Sequence, residues 1–166
     1  EMCIRDRDAI VATMALCEAA AYYKTQGKTL WDAMIEMYEQ FGYYKDDIKA
    51  VTMKGIEGLQ KIQDIMNSLR QNPPAEFAGH KVVAVRDYKA DTIKNLETGE
   101  VTPTGLPNSN VLYYELTNDA WVCVRPSGTE PKVKFYYGVK GTSLADADEK
   151  SAVMGKAVLD MVDSMM

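Results

Sequence analysis

Two apolar stretches and the polar loop that joins them constrain the fold of this chain more than any other feature. In the second stretch, apolar residues recur with a period of two, which is the pattern of a β-strand with one buried face. The first stretch is 121–125; in the second the alternating residues are Val133, Phe135, Tyr137 and Val139. The loop at 125–132 reads RPSGTEPK. The sequence therefore predicts two neighbouring strands that hold both ends of a polar loop, and rigid ends suit a binding site.

The surrounding sequence completes the expected fold. Four strands are predicted at 81–88, 110–116, 121–125 and 133–140, with a long loop or ragged hairpin at about 91–109. A helix is predicted before these strands, with Thr52 as its N-cap and an apolar stripe of Leu59, Ile62, Met66 and Leu69. A last helix is predicted after them, opening at Ser143, with an apolar stripe of Met154, Val158, Met161 and Met165. This order predicts an α+β fold, a two-layer antiparallel four-stranded sheet with helices on one face.

A helical hairpin is predicted ahead of this layer. Residues 9–26 form its first helix, with Gly27 as the stop, and Thr29 caps the second, which runs to Phe41. The expected apolar stripes are Ile10, Met14, Cys17 and Ala21 in one helix and Leu30, Met34, Met37 and Phe41 in the other. Residues 43–47 are expected to lead out of the hairpin, which at about 40 residues is small for an independent domain.

Composition narrows the possible functions. The chain has 166 residues and a net charge of −5, so general nucleic-acid binding, which needs a basic face, is not expected. The three cysteines have no metal-ligand spacing, and Cys17 and Cys123 are predicted to be buried thiols in a reducing, cytoplasmic compartment. A single histidine, His80, leaves little material for a histidine-based site. No apolar run approaches the roughly 20 residues of a membrane span.

The loop at 125–132 contains the groups needed to hold a phosphate. Arg125 can offer paired donors to a dianion, and Ser127 and Thr129 each offer a hydroxyl. Gly128 lets backbone N–H groups approach an anion and can adopt a positive φ. The same residue types also occur in ordinary solvated turns, so the loop by itself leaves both interpretations open.

The loop and its flanks resemble one family. RPSGTEPK followed by VKFY is similar to the phosphate-binding loop in the last domain of the α-D-phosphohexomutases, the phosphoglucomutases and phosphomannomutases. Residues 72–74, 79–88 and 108–113 and Trp121 resemble other parts of that domain, and residues 5–9 resemble the end of the third domain. The resemblance implies a helical tail of domain three at 1–45 and the phosphate-binding domain four at 46–166.

The resemblance also implies a mechanism and roles for residues. Such enzymes interconvert hexose 1-phosphate and hexose 6-phosphate through a phosphoserine and a sugar bisphosphate, with Mg²⁺ and a hexose bisphosphate activator. The implied phosphate ligands are Arg125, Ser127, Gly128, Thr129 and Lys134, with Lys132 as a further candidate. Glu130 is expected to orient Arg125 or to cap a backbone donor. Arg7 and Asp8 are candidates for an assisting role, although arginine cannot transfer protons at neutral pH.

Parts of the family pattern are missing from this sequence. It contains no phosphoserine loop and no Asp-x-Asp-x-Asp run for magnesium, so no catalytic residue, metal ligand or cofactor site of its own is expected. We therefore expect a piece of a longer enzyme, inactive without domains one to three, with a phosphosugar as substrate and neither nucleic acid nor membrane as partner. The flanks favour a phosphoglucomutase. The alternatives are a phosphomannomutase or amino-sugar phosphate mutase, or a non-catalytic interaction domain in which Arg125 pairs with Glu130 or Glu115.

Overall fold

The computed structural model describes residues 9–53, 55–128 and 130–165, apart from the side chain of Ile56. The chain divides into two compact units, one ending at Gly42 and the other beginning at Tyr43. The first unit thus ends at Gly42, three residues before the expected end of the first domain at residue 45. The assignment of the two units to the third and fourth domains of the family stays a prediction.

The first unit is a pair of helices, α1 (Ala9–Thr25) and α2 (Leu30–Phe41). The Thr29 hydroxyl accepts a hydrogen bond from the Asp32 N–H and the Asp32 carboxylate accepts one from the Thr29 N–H, which confirms the predicted N-cap. Neither helix contains a buried residue. The prediction that Cys17 is buried is therefore wrong. The apolar stripe of α1, to which Cys17 belongs, is exposed because two helices alone cannot enclose a core.

The second unit is an antiparallel sheet with two helices. Its elements are β1 (Tyr43–Thr52), α3 (Gly55–Gln71), β2 (Glu76–Phe77), β3 (His80–Asp87), β4 (Thr92–Asn95), β5 (Val101–Thr102), β6 (Leu112–Leu116), β7 (Trp121–Pro126), β8 (Lys132–Gly141) and α4 (Leu144–Ser164). The strands follow the order β1-β8-β7-β6-β3-β4-β5, and β2 pairs with β3. Every pairing is antiparallel.

This architecture confirms the predicted α+β fold class, with more strands than expected. The four predicted strands are β3, β6, β7 and β8, and the described sheet has eight. The missed strand β1 is an edge strand whose residues are mostly exposed, so it lacks the alternation of apolar residues that reveals a strand. The stretch at 91–109 contains β4 and β5, which makes it the ragged hairpin rather than a long loop.

Both helices of the second unit pack on one face of the sheet. The alternating residues of β8 are buried there together with the inward residues of α3 and α4, namely Ile62, Ile65, Met66, Leu69, Met154, Val158 and Val162. Leu59, predicted to belong to this stripe, is 55% exposed, because buried Gly58 holds the inward position in the same turn of α3. Met161 and Met165 are only partly buried against the core. Ser143 caps α4 as predicted, with its hydroxyl accepting from the Asp146 N–H.

The opposite face of the sheet is covered by no described helix of this unit, and its side chains are mostly half-buried. Tyr113 and Trp121 stack there with ring centroids 5.5 Å apart. Cys123, expected to be buried, is of intermediate exposure on this face because it alternates with buried Val122 and Val124. Among the described helices, none is long and apolar enough to cross a membrane.

Candidate phosphate-binding loop

The polar loop closes the hairpin between β7 and β8, as the sequence predicts. The Ser127 N–H donates to the Lys132 carbonyl over 2.7 Å, and the Lys132 N–H donates to the Glu130 carbonyl over 2.8 Å. These bonds fix the backbone at both ends of the turn. The loop is therefore presented by two paired strands of a packed sheet, which limits the motion of any group it carries.

Arg125 and Lys134 meet at the base of this loop. They are direct partners in the ladder between β7 and β8, so both side chains leave the sheet on the face opposite the helices. Arg125 is exposed and Lys134 is half-buried. Neither forms an ion pair with any described carboxylate. Two like charges opposite each other repel, and an anion held between them would relieve that repulsion.

The acidic residue of the loop pairs with a different cation from the one expected. Glu130 lies 3.1 Å from the ammonium of Lys132, rather than against Arg125. Glu115 likewise pairs with Arg86. Both carboxylates that could have neutralised Arg125 are thus occupied elsewhere. The hypothesis of a simple turn required Arg125 to pair with one of them, and no such pair occurs among the described residues.

The remaining loop residues are only partly described. Ser127 is half-buried and Gly128 is exposed, with open space where a Cβ would stand. Gly128 is not among the described residues with positive φ, so it does not use the left-handed conformation that a glycine can adopt. The absence of a side chain at Gly128 instead leaves the backbone of the loop accessible to a ligand. Thr129, Arg7 and Asp8 lie outside the described residues.

One contact to the loop comes from a residue that the sequence did not single out. The Met53 N–H, just beyond β1, donates to the Pro131 carbonyl over 2.8 Å. Because this bond involves only backbone atoms and joins positions far apart in the chain, no local sequence signal could have revealed it. It ties the loop to the junction between β1 and α3.

Electrostatics on this face favour an anion near Arg125. Burial raises the pKa of the Cys123 thiol, and the positive charge of Arg125 lowers it by a smaller amount. The thiol is therefore protonated and neutral at pH 7, so it leaves the charge of Arg125 uncompensated. In the described part of the chain, no group of three or more His, Cys, Asp or Glu side chains could hold a metal ion.

Comparison with known proteins identifies the family. A model of the phosphoglucomutase/phosphomannomutase C-terminal domain matches residues 65–155. That match spans more than half of the chain, includes the loop and covers β2 to β8, so the chain belongs to the phosphoglucomutase/phosphomannomutase family.

Relatives and a solved structure agree with this assignment. A phosphoglucomutase of Staphylococcus aureus strain bovine RF122 / ET3-1 is 36% identical over 151 residues, and that of strain MSSA476 is 35% identical. In both cases the match covers 91% of this chain and 27% of the relative, so the chain spans about a quarter of their length. The open form of the Paramecium phosphoglucomutase pp63/parafusin superposes with a TM-score of 0.55 at 15% identity, covering 95% of this chain and 26% of that one. This likeness shows a shared fold.

Proposed function

We propose that this chain is the substrate-phosphate-binding, C-terminal part of an enzyme that interconverts hexose 1-phosphate and hexose 6-phosphate. The observation that carries the proposal is the pair of opposed cations, Arg125 and Lys134, at the base of the loop. Their charge has no described counterion, and the loop between them offers hydroxyl and backbone donors. A phosphate dianion supplies the negative charge that Arg125 and Lys134 lack, and its oxygens can accept hydrogen bonds from such donors.

Each residue has a definite part in this proposal. Arg125 donates two hydrogen bonds to one edge of the phosphate, while Lys134 contributes a point charge from the neighbouring strand. Ser127 donates its hydroxyl, and the backbone at Gly128 approaches the anion without steric hindrance. Thr129 is proposed as a further hydroxyl donor. Lys132 can join the ligands only by leaving Glu130.

The clamp holds the phosphate that does not react and thereby orients the sugar. Phosphoryl transfer depends mainly on such positioning and on electrostatic stabilisation. We propose that the transfer itself proceeds through a phosphoserine and a sugar bisphosphate, with the nucleophile in the part of the relatives' length that this chain does not span. Arg7 and Asp8 remain candidates for an assisting role.

Magnesium assists the transfer in the family as a whole. The residues described here do not fit it, because they bring no cluster of carboxylates together. We therefore propose that the metal and a hexose bisphosphate activator belong to the longer enzyme, and no step assigned to the loop uses the metal. The chain alone is proposed to lack mutase activity, since it contributes ligands without a nucleophile. A cytoplasmic location is proposed with the enzyme.

The preferred sugar is proposed to be glucose, because the matching relatives are phosphoglucomutases. The family model names phosphomannomutases as well, which keeps mannose phosphates as the second candidate. Amino-sugar phosphates are a further alternative within the same chemistry. The clamp described here binds the phosphate and not the ring, so it accepts any of these substrates.

An NMR titration tests the proposal. Inorganic phosphate and then glucose 1-phosphate are added to the chain while the amide signals of Ser127, Gly128 and Thr129 are followed. We expect saturable shifts confined to the loop, absent in Arg125→Ala, with a dissociation constant on the order of millimolar, or about 4 kcal/mol. An absence of shifts at tens of millimolar phosphate would contradict the proposal for this chain.

A further inference from the structure

The junction between β1 and α3 supports the phosphate-binding loop from outside its own hairpin. The last rung of the ladder between β1 and β8 joins Thr52 to Lys132. Immediately after it, the Met53 N–H donates to the Pro131 carbonyl over 2.8 Å. The position of Met53 therefore sets the position of Pro131, and with it the backbone that carries the loop's donors.

Met53 is itself held by the first turns of α3. Its side chain is buried in the core, with 6% exposed. A Cβ added to Gly58 would lie 2.6 Å from the carbonyl carbon of Met53 and 2.9 Å from its Cβ. These distances leave no room for any side chain at position 58. The helix can approach Met53 this closely only because residue 58 is glycine.

Glycine is a poor choice for the interior of a helix, since it loses more backbone freedom on folding than any other residue. Gly58 lies inside α3 and is buried. It is not among the described residues with positive φ, so backbone conformation does not require a glycine there. The close approach to Met53 is what requires it.

We propose that Gly58 is a positioning residue for the phosphate-binding loop. It lets α3 lie against Met53, and Met53 in turn fixes Pro131 and, through it, the neighbouring backbone at Glu130 and Lys132. This support of the loop backbone is a matter of packing and does not depend on what the loop binds. The consequence for phosphate affinity rests on the proposed function.

A pair of glycine variants tests the inference. Gly58→Ala pushes Met53 away from the helix. Gly141→Ala is the matched control, because a Cβ there would also meet backbone, 2.5 Å from the Ala147 nitrogen, but at the opposite end of β8 from the loop. Urea unfolding measures the stability of both variants, and amide hydrogen exchange is then compared under conditions in which both are folded.

We expect the Ser127 and Lys132 amides to exchange about tenfold faster in Gly58→Ala than in Gly141→Ala, because only the first substitution releases the loop. Equal exchange of these amides in the two variants would overturn the inference. If Gly58→Ala does not fold, the unsubstituted chain decides. The Met53, Ser127 and Lys132 amides should then open together, with one dependence on urea. If the Ser127 and Lys132 amides exchange at urea concentrations at which the Met53 amide is still protected, the inference is overturned.

A phosphate titration separates this inference from the proposed function. If the unsubstituted chain binds inorganic phosphate, Gly58→Ala should bind about tenfold more weakly and Gly141→Ala equally well, which corresponds to about 1.4 kcal/mol. Equal phosphate binding by both variants would overturn the role of Gly58. If the unsubstituted chain does not bind phosphate, the proposed function fails, and hydrogen exchange still decides whether Gly58 positions the loop.

Discussion

Arg125 and Lys134 face each other across adjacent strands, and no described carboxylate pairs with either of them. Like charges in this relationship cost a sheet roughly 0.2–1 kcal/mol. The unliganded protein therefore has slightly less stability than an uncharged pair would give it. This repulsion disappears when an anion binds, so it adds to the stabilisation that phosphate provides.

Replacing Arg125 by alanine should leave the stability of the phosphate-free chain unchanged, or raise it by up to about 1 kcal/mol, because it removes the repulsion with Lys134. Phosphate should raise the melting temperature of the unsubstituted chain and have no such effect on the variant. Thermal unfolding with and without phosphate measures both effects. Lys156→Ala, at an exposed position of α4, is the control. A large fall in melting temperature for Arg125→Ala would instead assign this arginine a structural role.

Replacing Glu130 by glutamine should strengthen phosphate binding. The substitution releases Lys132 from its ion pair and removes a negative charge from the loop. Because Glu130 is exposed and Lys132 is only partly buried, we expect a modest gain of about 0.5–1 kcal/mol, or roughly two- to fivefold in affinity. Calorimetric or NMR titration with phosphate measures the gain. Glu97→Gln, which breaks the exposed pair with Lys81, should leave the affinity unchanged. Weaker binding by Glu130→Gln would mean that the carboxylate supports the clamp.

Removing the hydroxyl of Tyr114 should destabilise the second unit. This fully buried tyrosine donates to the Leu69 carbonyl in the last turn of α3 over 3.1 Å, and burial raises the pKa of its phenol. Tyr114→Phe leaves that carbonyl without its partner, and we expect a loss of about 1 kcal/mol in urea unfolding. The half-buried Tyr113 is the control, since its hydroxyl bonds to no described residue. Equal losses in Tyr114→Phe and Tyr113→Phe would contradict the role of the bond.

Acid should weaken the start of α4. Hydrogen bonds from Lys150 and from the backbone of Thr142 hold the pKa of Asp146 below its ordinary value of 3.8. A lowered pKa means that the ionised carboxylate stabilises the fold above that value, and that this contribution is lost as the pH falls through the lower, folded pKa. The urea midpoint should therefore fall less between pH 5 and pH 2.5 in Asp146→Asn than in the unsubstituted chain. Asp163→Asn, whose side chain bonds to no described residue, should behave like the unsubstituted chain.

The amides of the helical hairpin should exchange faster than those of β8. Neither α1 nor α2 has a buried residue, whereas β8 is buried along its helix-facing side. Helices this short are marginal in water without packing. Amide hydrogen exchange followed by NMR gives protection factors for both regions in one sample. Protection of Ala21 equal to that of Phe135 would show that the hairpin is held as firmly as the sheet.

The elements of the second unit that were predicted from the sequence are those with one face buried in the core and the other exposed to solvent. The alternation in β8 and the stripe in α4 are recognisable because one face meets the core and the other meets solvent. Strand β1 escaped detection since it lies at the sheet edge and most of its ten residues are exposed. The apolar spacing of α1 led to a wrong prediction that Cys17 is buried. Such spacing shows which residues a helix can bury, and not which residues it does bury within this chain.

The residue types of the loop could be recognised in the sequence, but the contacts that they make could not. Its residue types indicated an anion site, and strand alternation placed Lys134 on the correct face. The pairing of Glu130 with Lys132 depends on side-chain reach across a turn, which periodicity does not encode. The bond from Met53 to Pro131 depends on the pairing of β1 with β8, and that strand carried no signal.

The ladder between β1 and β8 has a consequence for how this unit assembles. Its rungs join residues that are 80 to 98 positions apart in the chain, from Thr52 with Lys132 to Tyr43 with Gly141. Closing so large a loop is entropically costly and slow. During synthesis, β1 emerges from the ribosome long before its partner exists. The backbone support that Met53 gives to Pro131 can therefore form only after the chain as far as Pro131 has been made.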